Sequence, residues 1–287
     1  MSNPDDTNVR LMSEEGWAGP DGARWLSNLD RLESMLAPVG DALFVRAGFR
    51  TGDRVVDIGC GGGWTTRRIA ELVGPDGSAV GLDISADLVD AANERARNAR
   101  LANVRFMQGD AATAMPADAP FDHIFSRFGC MFFTDPAAAF ANLRRMVRNG
   151  GRLDVAVWAP ARDNPWMAET VAVVGRHIEL PAPVPRAPGP FALDDPDYVR
   201  DLLRSAGFQA ISIDAWTGKQ QIGGAGSAPE SAACFVLDSM HIGDLVRTYG
   251  SDLRAVIESD LIETYRAHAG PDGVRMGAKS WFVSAGN

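Results

Sequence analysis

The sequence is short of the residues that would tie it to disulfides, metals or nucleic acid. Its 287 residues include three cysteines and four histidines. Cys60, Cys130 and Cys234 are scattered and odd in number, which excludes a disulfide framework and fits free thiols in a reducing compartment. No Cys/His cluster has ligand spacing, so no metal site is expected. Lys and Arg total 28 against 37 Asp and Glu, a net charge of −9, and no basic excess exists to neutralise phosphates. Nucleic acid is therefore not an expected partner. No apolar run approaches the roughly 20 residues that span a bilayer. The polar, acidic start, Met1 to Asp6, does not read as a signal peptide. What remains is a cytoplasmic globular protein of one enlarged domain or two small ones, with residues 1–12 expected to be disordered.

What the sequence does have is an apolar strand running into a glycine loop: Val55-Val56-Asp57-Ile58-Gly59-Cys60-Gly61-Gly62-Gly63. Glycine permits positive φ and lets a ligand approach the backbone, and the amides that open the next helix can hold an anionic group. A glycine loop alone is a weak signal. It gains weight from Asp57 in the strand end and from acidic residues at the next two strand ends, Asp83 in Val80-Gly81-Leu82-Asp83-Ile84 and Asp110 in Gln108-Gly109-Asp110-Ala111. In an open α/β sheet, ligands bind outside the carboxyl ends of the strands. A carboxylate at the second strand end suits a ribose diol, and the next suits an exocyclic amine such as that of adenine. The pattern reads as an adenosine site without the lysine of a phosphate-binding loop. A nicotinamide dehydrogenase fits poorly, because Trp64 stands at the third glycine position of Gly-x-Gly-x-x-Gly counted from Gly59.

These residues resemble the class I S-adenosylmethionine-dependent methyltransferases. Asp57 to Gly63 is similar to that family's first motif, Gly81-Leu82-Asp83-Ile84-Ser85 to its second, and Gln108-Gly109-Asp110-Ala111 to its third. Phe121-Asp122-His123-Ile124-Phe125-Ser126 resembles the strand lining the methyl-transfer site, and Leu143 to Leu153 the helix, turn and strand after it. Asn149 replaces the usual proline before Gly-Gly. The likeness is good over about residues 40–160 and looser elsewhere. It implies S-adenosylmethionine as cofactor, with Asp57, Gly59, Cys60, Gly61, Asp83, Ile84, Asp110, Ala111 and Ser126 binding it. Asp57 is expected to order the loop and Cys60 to make a backbone contact. The reaction implied is methyl transfer to O, N or C of a small-molecule acceptor. The alternative is a non-catalytic cofactor-binding protein, a sensor or assembly subunit.

The strand–helix alternation predicts an α/β fold: a Rossmann-like, mostly parallel, seven-stranded sheet with helices on both faces. Residues 1–47 read as a tail and helical cover, with Leu32, Leu36, Val39 and Leu43 as an apolar stripe. Residues 48–158 form the cofactor-binding core, in which Ile69, Leu72 and Val73 face the sheet. A proline-rich cap insertion at 159–193, a continuation of the core at 194–227, two helices inserted at 228–268 and a final strand within 269–287 complete the chain. Strands are predicted at 121–126, 152–158, 210–216 and 280–285. The insertions read as substrate caps or, alternatively, as a homodimer surface or plain cover.

A strong base is not identifiable. His177 and His241 lie in the insertions and are weak candidates. His123 reads as a packed strand residue, and His268 as a partner of terminal helix carbonyls. Arg127, at the end of the fourth strand, could bind a carboxylate or make a structural pair. Phe128, Met131, Phe132 and Phe133 after it would shape a pocket or fill core. Trp17 and Trp25 would close over the cofactor or simply pack.

Overall fold

The computed structural model describes residues 14–287, and the expected disordered tail lies outside the described residues. Three helices open the described chain, α1 (Glu14–Trp17), α2 (Pro20–Ser27) and α3 (Leu29–Ala47). The core follows as β1 (Arg54–Ile58), α4 (Trp64–Val73), β2 (Ser78–Asp83), α5 (Ala86–Asn98), β3 (Val104–Gln108), β4 (Phe121–Arg127), α6 (Pro136–Met146) and β5 (Val147–Trp158). Helix α7 (Pro165–Val174) lies in the first insertion, before α8 (Pro196–Ser205) and β6 (Gln209–Gln221). The second insertion holds α9 (Pro229–Ser239), α10 (His241–Arg247) and α11 (Ser251–Arg266), and the chain closes with β7 (Ala269–Gly270) and β8 (Gly273–Gly286).

The sheet order is β3-β2-β1-β4-β5-β8-β6, with the two-residue β7 paired to β8 off that path. Strands β1 to β5 pair in parallel, and β8 runs antiparallel between β5 and β6. The expected mostly parallel sheet is thus present, flanked by helices. The order reverses at β1 and β4, the switch point where a crevice opens at the strands' carboxyl ends.

Local chemistry accounts for most element boundaries. Ser85 Oγ accepts the Leu88 N–H and caps α5, and Asp195 caps α8 ahead of Pro196. The stripe Leu32, Leu36, Val39 and Leu43 is buried under α3, from 0% to 6% exposed. Some expectations need correction. Leu72 is 39% exposed, because α4 buries the face that carries Thr66, Ile69, Ala70 and Val73. Strands β6 and β8 are longer than predicted, since they pair with each other as far as Gln221↔Arg275, beyond the end of β5. The second insertion has three helices where two were read, because Met240 adopts an extended conformation between α9 and α10.

Phe125, fully buried on β4, stacks on Phe44 of α3 with ring centroids 5.1 Å apart and ties the helical cover to the sheet. Phe125→Ala should cost about 3–5 kcal/mol of stability in urea unfolding. Val45→Ala, at a site 84% exposed on the same helix, should cost less than about 0.5 kcal/mol. Equal losses would contradict the placement of this contact.

Candidate functional site

The loop after β1 is shaped by a close backbone approach. Gly59 has φ +66°, and a Cβ there would lie 2.6 Å from Gly129 Cα. A Cβ on Gly129 would reach within 2.5 Å of the Ile58 carbonyl oxygen. Both positions therefore need glycine, and the turn after β4 seats directly on the turn after β1. The amides of Gly59 and Cys60 both donate to the Leu82 carbonyl, at 2.8 and 3.2 Å. Gly61 N–H donates to Asp83 Oδ2 at 2.7 Å, and Ser85 N–H to Oδ1 at 3.0 Å. Burial pushes the Asp83 carboxyl up from its ordinary value, and the amides of Ser85, Gly61 and Ile84 oppose it. Asp110 holds its own turn, accepting from Ala112 N–H at 2.8 Å and Thr113 Oγ1 at 3.2 Å.

A cavity of about 420 Å³ opens over these turns. Gly59, Cys60, Gly61, Asp83, Ile84, Asp110 and Ala111 line it, as do Arg127 and His241. The remaining wall is largely apolar. Trp17, Trp25, Met35 and Leu36 come from the helical cover, and Phe128, Met131, Phe132 and Phe133 from the chain after β4. Trp166, Met167, Val171 and Phe191 come from the first insertion, and Met240 and Ile242 from the second. Both insertions thus reach the cavity.

Other predicted site residues lie beneath that wall or away from it. Asp57 is 1% exposed, and its Oδ2 accepts from Thr65 Oγ1 at 2.6 Å and Thr66 Oγ1 at 2.7 Å, bracing the start of α4 under the loop. Ser126 Oγ donates to the Ile58 carbonyl at 2.7 Å and joins β4 to β1. His177 is bound to Asp260 at 2.9 Å and is not among the lining residues. The His268 ring meets Glu169 at 2.7 Å instead of helix carbonyls, because α7 passes beside the end of α11. His123 Nε2 lies 3.3 Å from Asp53, and burial lowers the ring's affinity for a proton. The Cys60 thiol is pushed well up by burial and by the Asp83 and Asp57 charges, so it is no nucleophile.

Arg127 lies 4.9 Å over the Trp64 ring, and its buried Nη1 has no hydrogen-bond partner among the described residues. Burial draws its guanidinium down to about 10, against the charges of Glu33, Asp57 and Asp41. Sequence reasoning missed Gly129, Glu33, Asp21 and Arg24. Gly129 had a legible signal, a glycine two residues past a strand end. The three charged residues had none, since they belong to helices that meet the core only in the folded chain.

The fold is that of an α/β domain whose cavity opens at the carboxyl ends of parallel strands. The family model for a methyltransferase domain matches residues 49–176. A ubiquinone/menaquinone biosynthesis C-methyltransferase of Ectopseudomonas mendocina is 30% identical over 183 residues, 60% of this chain and 71% of that protein. The corresponding protein of Pseudomonas savastanoi is 37% identical over 108 residues, 37% of this chain and 42% of that protein's length. The chain thus spans less than half the length of some curated relatives it matches. The crystal structure of the YcgJ protein from Bacillus subtilis superposes with a TM-score of 0.56 at 19% identity, covering 86% of this chain and 97% of the other. The chain belongs to the class I S-adenosylmethionine-dependent methyltransferases.

Burial raises Asp57 to about 6 from its ordinary 3.8, so the folded chain holds this proton more tightly than the unfolded chain. Its contribution to stability is full below about pH 4, declines up to about pH 6 and is level above, a loss of roughly 3 kcal/mol. Asp57→Asn should remove that share of the decline in urea unfolding measured across this range. An unchanged pH dependence would contradict the assignment.

Proposed function

We propose that the chain transfers the methyl group of S-adenosylmethionine to oxygen, nitrogen or carbon of a small apolar acceptor. One observation carries this reading: a loop of turn glycines and two strand-end carboxylates opens into the same cavity as a wall of aromatic and apolar side chains.

The residues present fit the cofactor. Asp83 keeps acceptor capacity beyond its two backbone bonds and would take the ribose hydroxyls, and Asp110 would take the adenine amine. Gly59, Cys60 and Gly61 would present backbone to the remainder, and a Cβ at Gly61 would project toward Trp25 Nε1, 3.5 Å away. Ile84 and Ala111 would flank the base. Asp57 and Ser126 would act from below by holding the loop. Arg127 Nη1 and Trp17 Nε1, both buried and without a partner among the described residues, are spare donors for a carboxylate or carbonyl. The bound sulfonium supplies an electrophilic methyl group that leaves its electron pair on sulfur. The protein's task is then to position the acceptor in line and exclude water, which can be worth roughly 7–11 kcal/mol of the barrier. The aromatic wall suits a flat apolar acceptor. The unbridged cysteines are consistent with a cytoplasmic setting.

Transfer of labelled methyl from S-adenosylmethionine to a panel of phenols, enols, amines and carbon acids with apolar rings tests the reading. Product from at least one acceptor is expected. Cofactor binding without any product would leave a binding protein in place of an enzyme. Asp83→Ala should weaken S-adenosylhomocysteine binding at least about tenfold in calorimetry, the worth of a charge-assisted hydrogen bond. Unchanged affinity would remove Asp83 from the ribose contact.

A further inference from the structure

Asp21 is the least expected charge in the cavity wall. It stands in the first turn of α2 and is 3% exposed. Neither of its carboxylate oxygens has a hydrogen-bond partner among the described residues. A buried carboxylate left alone is costly, so a neighbouring group must answer its charge. Two face it. Arg24 Nη2, one turn along α2, is 3.6 Å from Oδ1, and His241 Nε2, at the start of α10, is 3.2 Å from the same oxygen. Arg24 is engaged elsewhere, since its Nη1 donates to Asp244 Oδ2 at 2.6 Å, and Asp244 also binds Arg247. His241 is the group most available to Asp21.

Asp21 and His241 both line the cavity, 220 residues apart in sequence, beside Trp17, Phe132 and Met240. Trp17 packs edge-on against Phe132 at 4.8 Å, and its carbonyl lies against Gly22. Gly22, next to Asp21, also lies against Ser85 Oγ at the cap of α5, so this part of α2 sits between Trp17 and the carboxyl end of β2 in the cavity wall.

We propose that Asp21 and His241 form a carboxylate–imidazole pair that deprotonates the acceptor, and that the acceptor is a phenol or enol on an apolar body. The proposal rests on the methyl-transfer reading above. His241 Nε2 also has no hydrogen-bond partner among the described residues, and a turn of its ring across the 3.2 Å gap would give Nε2–H to Asp21, fix the tautomer and leave Nδ1 as the nitrogen able to take a proton. The acceptor's hydroxyl proton passes to Nδ1. The resulting oxygen, or the carbon conjugated to it, bonds to the methyl group as the methyl–sulfur bond breaks, with that bond's electron pair returning to sulfur. The imidazolium, stabilised by Asp21, later releases its proton to water. The other charges around the pair are Arg24 on α2 and Asp244 and Arg247 on α10, which largely satisfy one another.

The test is carbethoxylation of His241 by diethyl pyrocarbonate, followed by peptide mass spectrometry on the full chain. Rates are compared at one alkaline pH for every variant. Asp21→Asn should slow His241 by about tenfold, the lower end of what loss of an orienting carboxylate costs a metal-bound histidine, since here too the carboxylate raises the basicity of the far ring nitrogen. Arg24→Gln, which breaks the other bridge between α2 and α10, should change the rate less than about twofold. No effect of Asp21→Asn, or equal slowing by both variants, would overturn the pair. In the unaltered chain, 2-naphthol should protect His241 more strongly than 2-methoxynaphthalene, which has no proton to give. Equal protection, or none, would overturn the acceptor class. Neither measurement uses the cofactor, so their failure is distinct from failure of calorimetric cofactor binding, which bears on the methyl-transfer reading.

Discussion

Everything at the site depends on how closely two backbones approach. The turn after β1 and the turn after β4 touch at Gly59 and Gly129, at distances that leave no room for a Cβ on either side. This contact sets the loop's path, and Leu82 then pins the loop to β2 through two amides. The Gly61 amide is thereby aimed at Asp83. A side chain at either glycine would separate the turns and move the Gly61 amide away from Asp83.

From that contact outward, the cavity divides by polarity. Its base is made of strand ends and carries the carboxylates of Asp83 and Asp110, each partly satisfied by backbone amides. Its sides come from the helical cover and both insertions and are aromatic or aliphatic. A polar base fixes one ligand by hydrogen bonds, and an apolar wall admits a second by shape and desolvation. The charged exceptions, Arg127, Glu33, Arg24, Asp21 and His241, stand where helices meet the core or each other. Glu33 is paired to Arg95 at 2.9 Å, and burial still raises its carboxyl.

The base of the site was legible in the sequence because each of its features is local. A strand end, a glycine turn and an acidic residue lie within a few positions of one another, and turn geometry needs those residue types. The stripe on α3 was legible for the same reason, since helical periodicity is a local property. What was not legible came from pairings across long separations. Asp21 meets His241 only because α2 and α10 are brought together, and Leu72 turned outward because the tilt of α4 is set by the sheet. Strands β6 and β8 lengthen each other, which neither segment encodes alone. His177 shows the converse: its place in an insertion suggested a site, but Asp260 on α11 claims its ring.

The central claim is that the glycine loop and the strand-end carboxylates together form an adenosine-cofactor site. Calorimetric titration of the unaltered chain with S-adenosylmethionine and S-adenosylhomocysteine, with NAD as control, tests it most directly. The account predicts micromolar binding of both sulfur compounds and no heat with NAD. Binding of NAD, or of neither sulfur compound, would contradict it.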